Sequence, residues 1–141
     1  MIKDILTDIA AIQQRIIKIE KMVIAQQVAE LLEEVQTIED WAQKQINKVR
    51  KAEAALNKEL RYLLDAVQMQ VSALQQSEES VGMRQFKAQS IHYTVEDLEM
   101  QILDNAKFVE TRLNKIQSKV SKKLIPIKQH IQCLQQHMDK I

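Results

Sequence analysis

The chain has 141 residues, a net charge of +1, 45% hydrophobic residues and only 4% aromatic ones, which suits one domain or one long helical hairpin. A single glycine, Gly82, and a single proline, Pro126, exclude a fold built on many tight turns, and the lone Cys133 excludes an intrachain disulfide. Ala, Leu, Ile, Gln, Glu and Lys dominate, a helix-forming mixture whose scarcity of aromatics points to a narrow aliphatic seam.

The near-neutral total conceals an asymmetry. Residues 107–141 carry eight Lys or Arg against Glu110 and Asp139, a net +6, while residues 1–106 carry twelve against seventeen acids, a net −5. Two oppositely charged arms that pack together account for this most simply. A basic surface for an anionic partner is the alternative. No apolar run approaches the roughly 18 residues of a spanning helix. Asp4 and Asp8 interrupt the apolar N-terminus, which fits neither a signal-peptide core nor an acid-poor transit peptide. A soluble cytoplasmic protein is expected, and a leaderless export route is also compatible.

In the first segment, Ile2, Ile5, Ile9, Ile12, Ile16, Ile19 and Val23 recur at gaps of three and four, the signature of one helix face. The next positions of that seam are Gln26 and Glu30, so it stops there. A second stripe, Ile17, Ile24, Val28, Leu31 and Val35, takes over. Taken as side by side, the two stripes widen the apolar face and favour three or more packed helices over a two-stranded zipper. The register shift between them marks a stutter or a change of partner.

Thr37-Ile-Glu-Asp40 has the form of a helix start, a hydroxyl N-cap followed by acids. A helix running from residue 2 to 77 would be about 110 Å long, against about 70 Å for residues 95–141. A break near Thr37 gives three arms of comparable length and is the expected arrangement. The second seam then runs Ile38, Ala42, Val49, Ala52, Leu56, Leu60, Leu63, Val67, Val71 and Leu74, with Gln45 as a polar position and Trp41 beside it. Gln75-Gln-Ser-Glu-Glu-Ser-Val-Gly82 forms the best turn in the chain. Thr94-Val-Glu-Asp97 repeats the capping pattern, so residues 78–94 are expected to be a loop.

Val95, Leu98, Ile102, Ala106, Val109, Leu113 and Ile116 open the longest stripe, which Val120, Leu124, Ile127, Ile131, Leu134, Met138 and Ile141 continue. Pro126 lies within it, yet the phase is kept across it, which predicts a continuous, kinked helix. The expected fold is therefore all-α. It is a single domain over residues 1–141, an elongated antiparallel helical bundle or coiled coil of about three long helices (2–36, 38–77 and 95–140).

His130, Cys133 and His137 are spaced to lie on one helix side, at the rim of the last stripe, and are ligand types that zinc prefers. Three ligands lack a fourth, with His92 the free candidate, so polar rim residues are the simpler role and no cofactor or metal is expected. One glycine cannot build a phosphate loop, and neither a Glu-x-x-His pair nor a His-Glu-x-x-His helix occurs. The chain is therefore expected not to be an enzyme.

A non-enzymatic interaction module follows: an adaptor, chaperone, assembly subunit or inhibitor that binds another helical protein or copies of itself. Its partner-binding candidates are Ile5, Ile9, Ile12, Ile16 and Trp41, although packing near a helix end is the simpler role for Trp41. The alternative is nucleic-acid or anionic-surface binding through Lys115, Lys119, Lys122, Lys123 and Lys128. Nucleic acid ranks lower, because that region holds one aromatic, Phe108, for stacking and one phosphate-forking arginine, Arg112. In composition alone the chain resembles the small, glycine-poor helical partners of bacterial secretion systems. It departs from the Trp-x-Gly turn of one such group, since Ala42 and Gln43 follow Trp41.

Overall fold

A computed structural model describes residues 1–141. Two helices, α1 (Ile2–Gln75) and α2 (Val81–Lys140), make up nearly all of it. The fold is all-α as expected, but it has two long helices where three were expected.

The break near Thr37 does not exist. Thr37 Oγ1 donates to the Glu33 carbonyl at 3.0 Å, and Gln36 Nε2 donates to Asp40 Oδ1 at 2.9 Å. A hydroxyl turned back onto the carbonyl four residues earlier belongs to a helix interior, not to an N-cap. Thr94 does the same to Ser90 at 3.2 Å, so the second apparent capping signature is also mid-helix. Thr7 and Thr111 share the habit. A threonine followed by acids is equally compatible with a cap and with a helix interior, and here continuous apolar register on both sides decides for the interior.

The expected loop over 78–94 shrinks to residues 76–80. Gln76 and Ser77 N–H groups close the end of α1 on the Ser72 and Leu74 carbonyls. Serines then build the turn. Ser77 Oγ accepts from the Glu79 N–H at 3.1 Å, and Ser80 Oγ accepts from the Met83 N–H at 3.3 Å. Ser80 is thus the N-cap of α2, and its carbonyl accepts the Arg84 N–H at 2.9 Å as the first helical bond. The Lys87 ammonium reaches back to the Glu79 carboxylate and ties the first turns of α2 to the turn itself. Gly82 lies inside α2 with no positive φ, so the turn does not depend on it. At the other end of α2, helix continues through Pro126, as the unbroken phase of Leu124, Ile127 and Ile131 predicts.

Packing falls into two units, one of Met1–Gln43 with Gln117–Ile141 and one of Lys44–Ile116. In the second, the two helices run antiparallel from the turn. Leu60, Val67 and Leu98 form its buried cluster, flanked by Leu56 and Ile91. Val49 and Val109 are buried farther along. The register differs from the expected seam at Ala52 and Leu63, which are exposed while Glu53 and Leu64 beside them are half-buried, and Val71 is exposed as well. The α2 positions Val95, Ile102 and Ala106 are also exposed; Leu98 is buried as expected, and Ile91 and Asn105, seven residues to either side of it, turn inward with it.

In the first unit Ile24, Leu124 and Ile131 are buried. Ile17, Val28, Leu31, Val35 and Ile38 are half-buried on the α1 side, as are Ile127, Leu134 and Met138 on the α2 side. The helices are antiparallel here too, since Trp41 meets Lys119 and Lys123 while Glu30 and Glu34 flank His130. No side chain in either unit falls below 2% exposure. Each core is therefore a single layer between two helices. Neither helix is long and apolar enough to cross a membrane.

Candidate interaction surface

Every residue from Met1 to Ile16 is exposed. The isoleucine stripe belongs to this segment, and it stays open even where α2 lies alongside α1. Val23 is 50% exposed while its neighbour Ile24 is 6% exposed, and Ile16 is 49% exposed while Ile17 is half-buried. Helical geometry explains the contrast. Compared at the same height in a seven-residue repeat, about 103° per residue, the Ile2–Val23 stripe and the Ile17–Val35 stripe point about 150° apart. They are not neighbours that make one wide face, as the sequence pattern suggests. They lie on nearly opposite sides of α1, and α2 covers only the second.

The N-terminal turns are bare on every face because α1 has 74 residues and the antiparallel α2 has 60, so α2 ends before it reaches them. Continued toward the N-terminus, the α2-facing positions become Gln14, Ala10, Thr7 and Lys3. They offer a packing helix almost nothing apolar. The large apolar side chains of this segment stand on the isoleucine face or beside it, as Leu6 does. Ile5, Ile9, Ile12 and Ile16, the four isoleucines expected to bind a partner, are thus brought together in one open row, each between 45% and 59% exposed.

Trp41 is placed differently. It is half-buried, and the Lys119 and Lys123 ammonium groups stand 5.2 and 5.5 Å from its ring centroid. These are cation–π distances, so the indole is already engaged within its own unit. This also bears on the basic cluster. All five lysines are exposed, but Lys119 and Lys123 are drawn to Trp41, and Lys115 belongs to the other unit. Arg112 is engaged in the same way, its guanidinium 5.7 Å from the Phe108 ring.

His130, Cys133 and His137 are not brought into a common ligand set. No three His, Cys, Asp or Glu side chains stand close enough to hold a metal ion. His130 borders a shallow groove with Gln27, Glu30, Leu31 and Glu34, and Cys133 is exposed. His92 Nε2 is 3.0 Å from Glu96 Oε1, one helical turn away. No polar or charged side chain is buried anywhere in the chain.

Sequence reasoning passed over two features of the surface. Leu6 and Met22, both more than half exposed, flank the isoleucine row and broaden it. Their positions one residue from the seam were readable. The exposed rings of Tyr62, Phe86, Tyr93 and Phe108 were not assignable to a side without the register of the second unit. No family model, curated protein or solved structure matches this chain.

Proposed function

We propose that this chain works by contact, as a non-enzymatic helical module whose isoleucine face, Ile2 to Val23, receives another helix. One observation carries this function: a seven-member aliphatic row at coiled-coil spacing stands open on the side of α1 away from α2. A soluble chain rarely leaves so continuous an apolar strip uncovered unless something docks there. The helix-in-groove and helix-to-helix modes of recognition use such i, i+3, i+4, i+7 anchors. Anionic-surface binding by the lysines of α2 ranks second. Its motivation is the net +6 of residues 107–141, and its weakness is that two of the five lysines already face an indole.

Photo-crosslinking in the cell of origin tests the contact function. A benzophenone amino acid replaces Ile12, and the adducts are separated by mass. The expected result is one or a few discrete adducts that disappear when Ile9 and Ile16 are also changed to Glu. A label that reacts with no protein, or adducts that survive those charges, would contradict it.

A further inference from the structure

We propose that the occupant of the isoleucine face is this chain itself, and that residues 2–23 join three copies as a parallel coiled coil. The proposal rests on the contact function above and names its partner. Three observations support it.

The seam residues come first. Lettered as a heptad, Ile2, Ile9, Ile16 and Val23 take position a, and Ile5, Ile12 and Ile19 take position d. β-branched residues at both positions disfavour the two-stranded state, which prefers Leu at d, and shift assembly to three or more strands.

The flanking positions come second. In a parallel coiled coil each g residue faces the e residue five places later on the next chain. Here Met1 would face Leu6 of the next copy, Asp8 would face Gln13, and Arg15 would face Glu20. Apolar thus meets apolar, polar meets polar, and base meets acid at all three steps. An antiparallel pairing of the same seam gains Asp8 opposite Arg15 but sets Leu6 opposite Gln13. In the parallel arrangement only Met22, set opposite Gln27 past the end of the seam, is mismatched.

Extent comes third. The seven seam side chains, 45–76% exposed, present on the order of 700 Å² per chain, close to the roughly 800 Å² per partner of a standard interface. The seam also stops where it must. Gln26 and Glu30 occupy the next d and a positions, and three Glu30 carboxylates would converge on the axis if the strands continued in register. Because α2 lies about 150° around α1 from the seam, it leaves the axis of such an assembly clear.

Sedimentation equilibrium of the full chain, from low to high micromolar concentration, tests the proposal. The expected limiting mass is three times the 16.4 kDa chain. Ile9→Glu with Ile16→Glu should return it to one chain mass with unchanged helicity by circular dichroism, because neither residue contributes to the α1–α2 core. Replacing Ile5, Ile12 and Ile19 together with Leu should lower the limiting mass toward two chains. In a Cys133→Ser background, Ile2→Cys should oxidise to a crosslinked pair, since parallel strands bring the two residue-2 positions together. A wild-type chain that stays monomeric, or a mass unmoved by the Glu pair, overturns the proposal. So does an Ile2→Cys chain that assembles as a trimer yet fails to crosslink. The contact function fails separately: a monomer whose isoleucine face still binds a hydrophobic dye, lost in the Glu variant, removes only the self-assembly. A monomer with no dye binding at that face removes both.

Discussion

Adjacent residues Val23 and Ile24 provide the sharpest test of how α1 is oriented. Ile24 is 6% exposed and belongs to the core of the first unit, whereas Val23, about 100° around the helix, is half exposed. Ile24→Ala removes three carbons from a nearly dry site. At about 0.8 kcal/mol per buried methylene that amounts to about 2.4 kcal/mol. The cavity penalty adds little, because a single-layer core lets neighbours and water close in, so the expected loss is about 2–3 kcal/mol. Val23→Ala removes two carbons that are already half in water, a loss of about 0.8 kcal/mol by the same coefficient. The gain in helix propensity from Val to Ala offsets most of that, leaving a net change within about 0.5 kcal/mol. Urea unfolding reads the difference, followed by circular dichroism and by the fluorescence of Trp41, which lies in the same unit. Both variants are made in the Ile9→Glu, Ile16→Glu background, so that association does not add to stability. A loss at Val23 equal to or larger than that at Ile24 would refute the placement of α2.

Three further outcomes follow from the same structure. Pro126→Ala restores an amide donor and relieves crowding in the interior of α2, so it should stabilise by about 1–3 kcal/mol, seen as a higher urea midpoint. Ser80→Ala removes the N-cap of α2 and should cost about 1 kcal/mol, whereas Thr94→Ala, a mid-helix position, should be neutral or slightly stabilising. Measured in parallel, a cost at Thr94 comparable to that at Ser80 would restore a helix start there. Changing Lys119 and Lys123 to Ala should each cost about 0.5–1 kcal/mol and alter the emission of Trp41, while Lys122→Ala should do neither.

Much of this architecture was readable from spacing. The α2 stripe from Val109 to Ile141 packs as its periodicity predicts, and the phase across Pro126 foretells a helix that does not stop there. The errors share a physical origin. Thr37 and Thr94 carry hydroxyls that satisfy a carbonyl inside a helix as readily as an amide at its start, so local chemistry alone could not place the helix ends. Leu63 and Leu64 are equally apolar, and only the position of α2 chooses between them. The two N-terminal stripes were visible, and so was the angle between them, since that angle follows from residue numbers. Taking them as one wide face favoured three packed helices, and the expected break near Thr37 supplied a third that the chain does not contain. Treated as opposite faces, they imply two helices within the chain and an unfilled side on α1. Trp41 was legible as an aromatic near the seam, but its two lysine neighbours come from α2 and were not.

One chain covers the Ile24 side of α1 and leaves the Val23 side open. Thiol labelling measures it directly. Single cysteines are placed at Ile19, Val23, Ile24 and Leu31 in the Cys133→Ser chain, and their reaction rates with a small maleimide are compared at high dilution. Cysteines at 19 and 23 should react at least about tenfold faster than those at 24 and 31, as expected where protection demands local opening. Raising the protein concentration should then slow positions 19 and 23 while leaving 24 and 31 unchanged. Position 23 reacting as slowly as position 24 at high dilution would contradict this, because the chain would then cover its own isoleucine face.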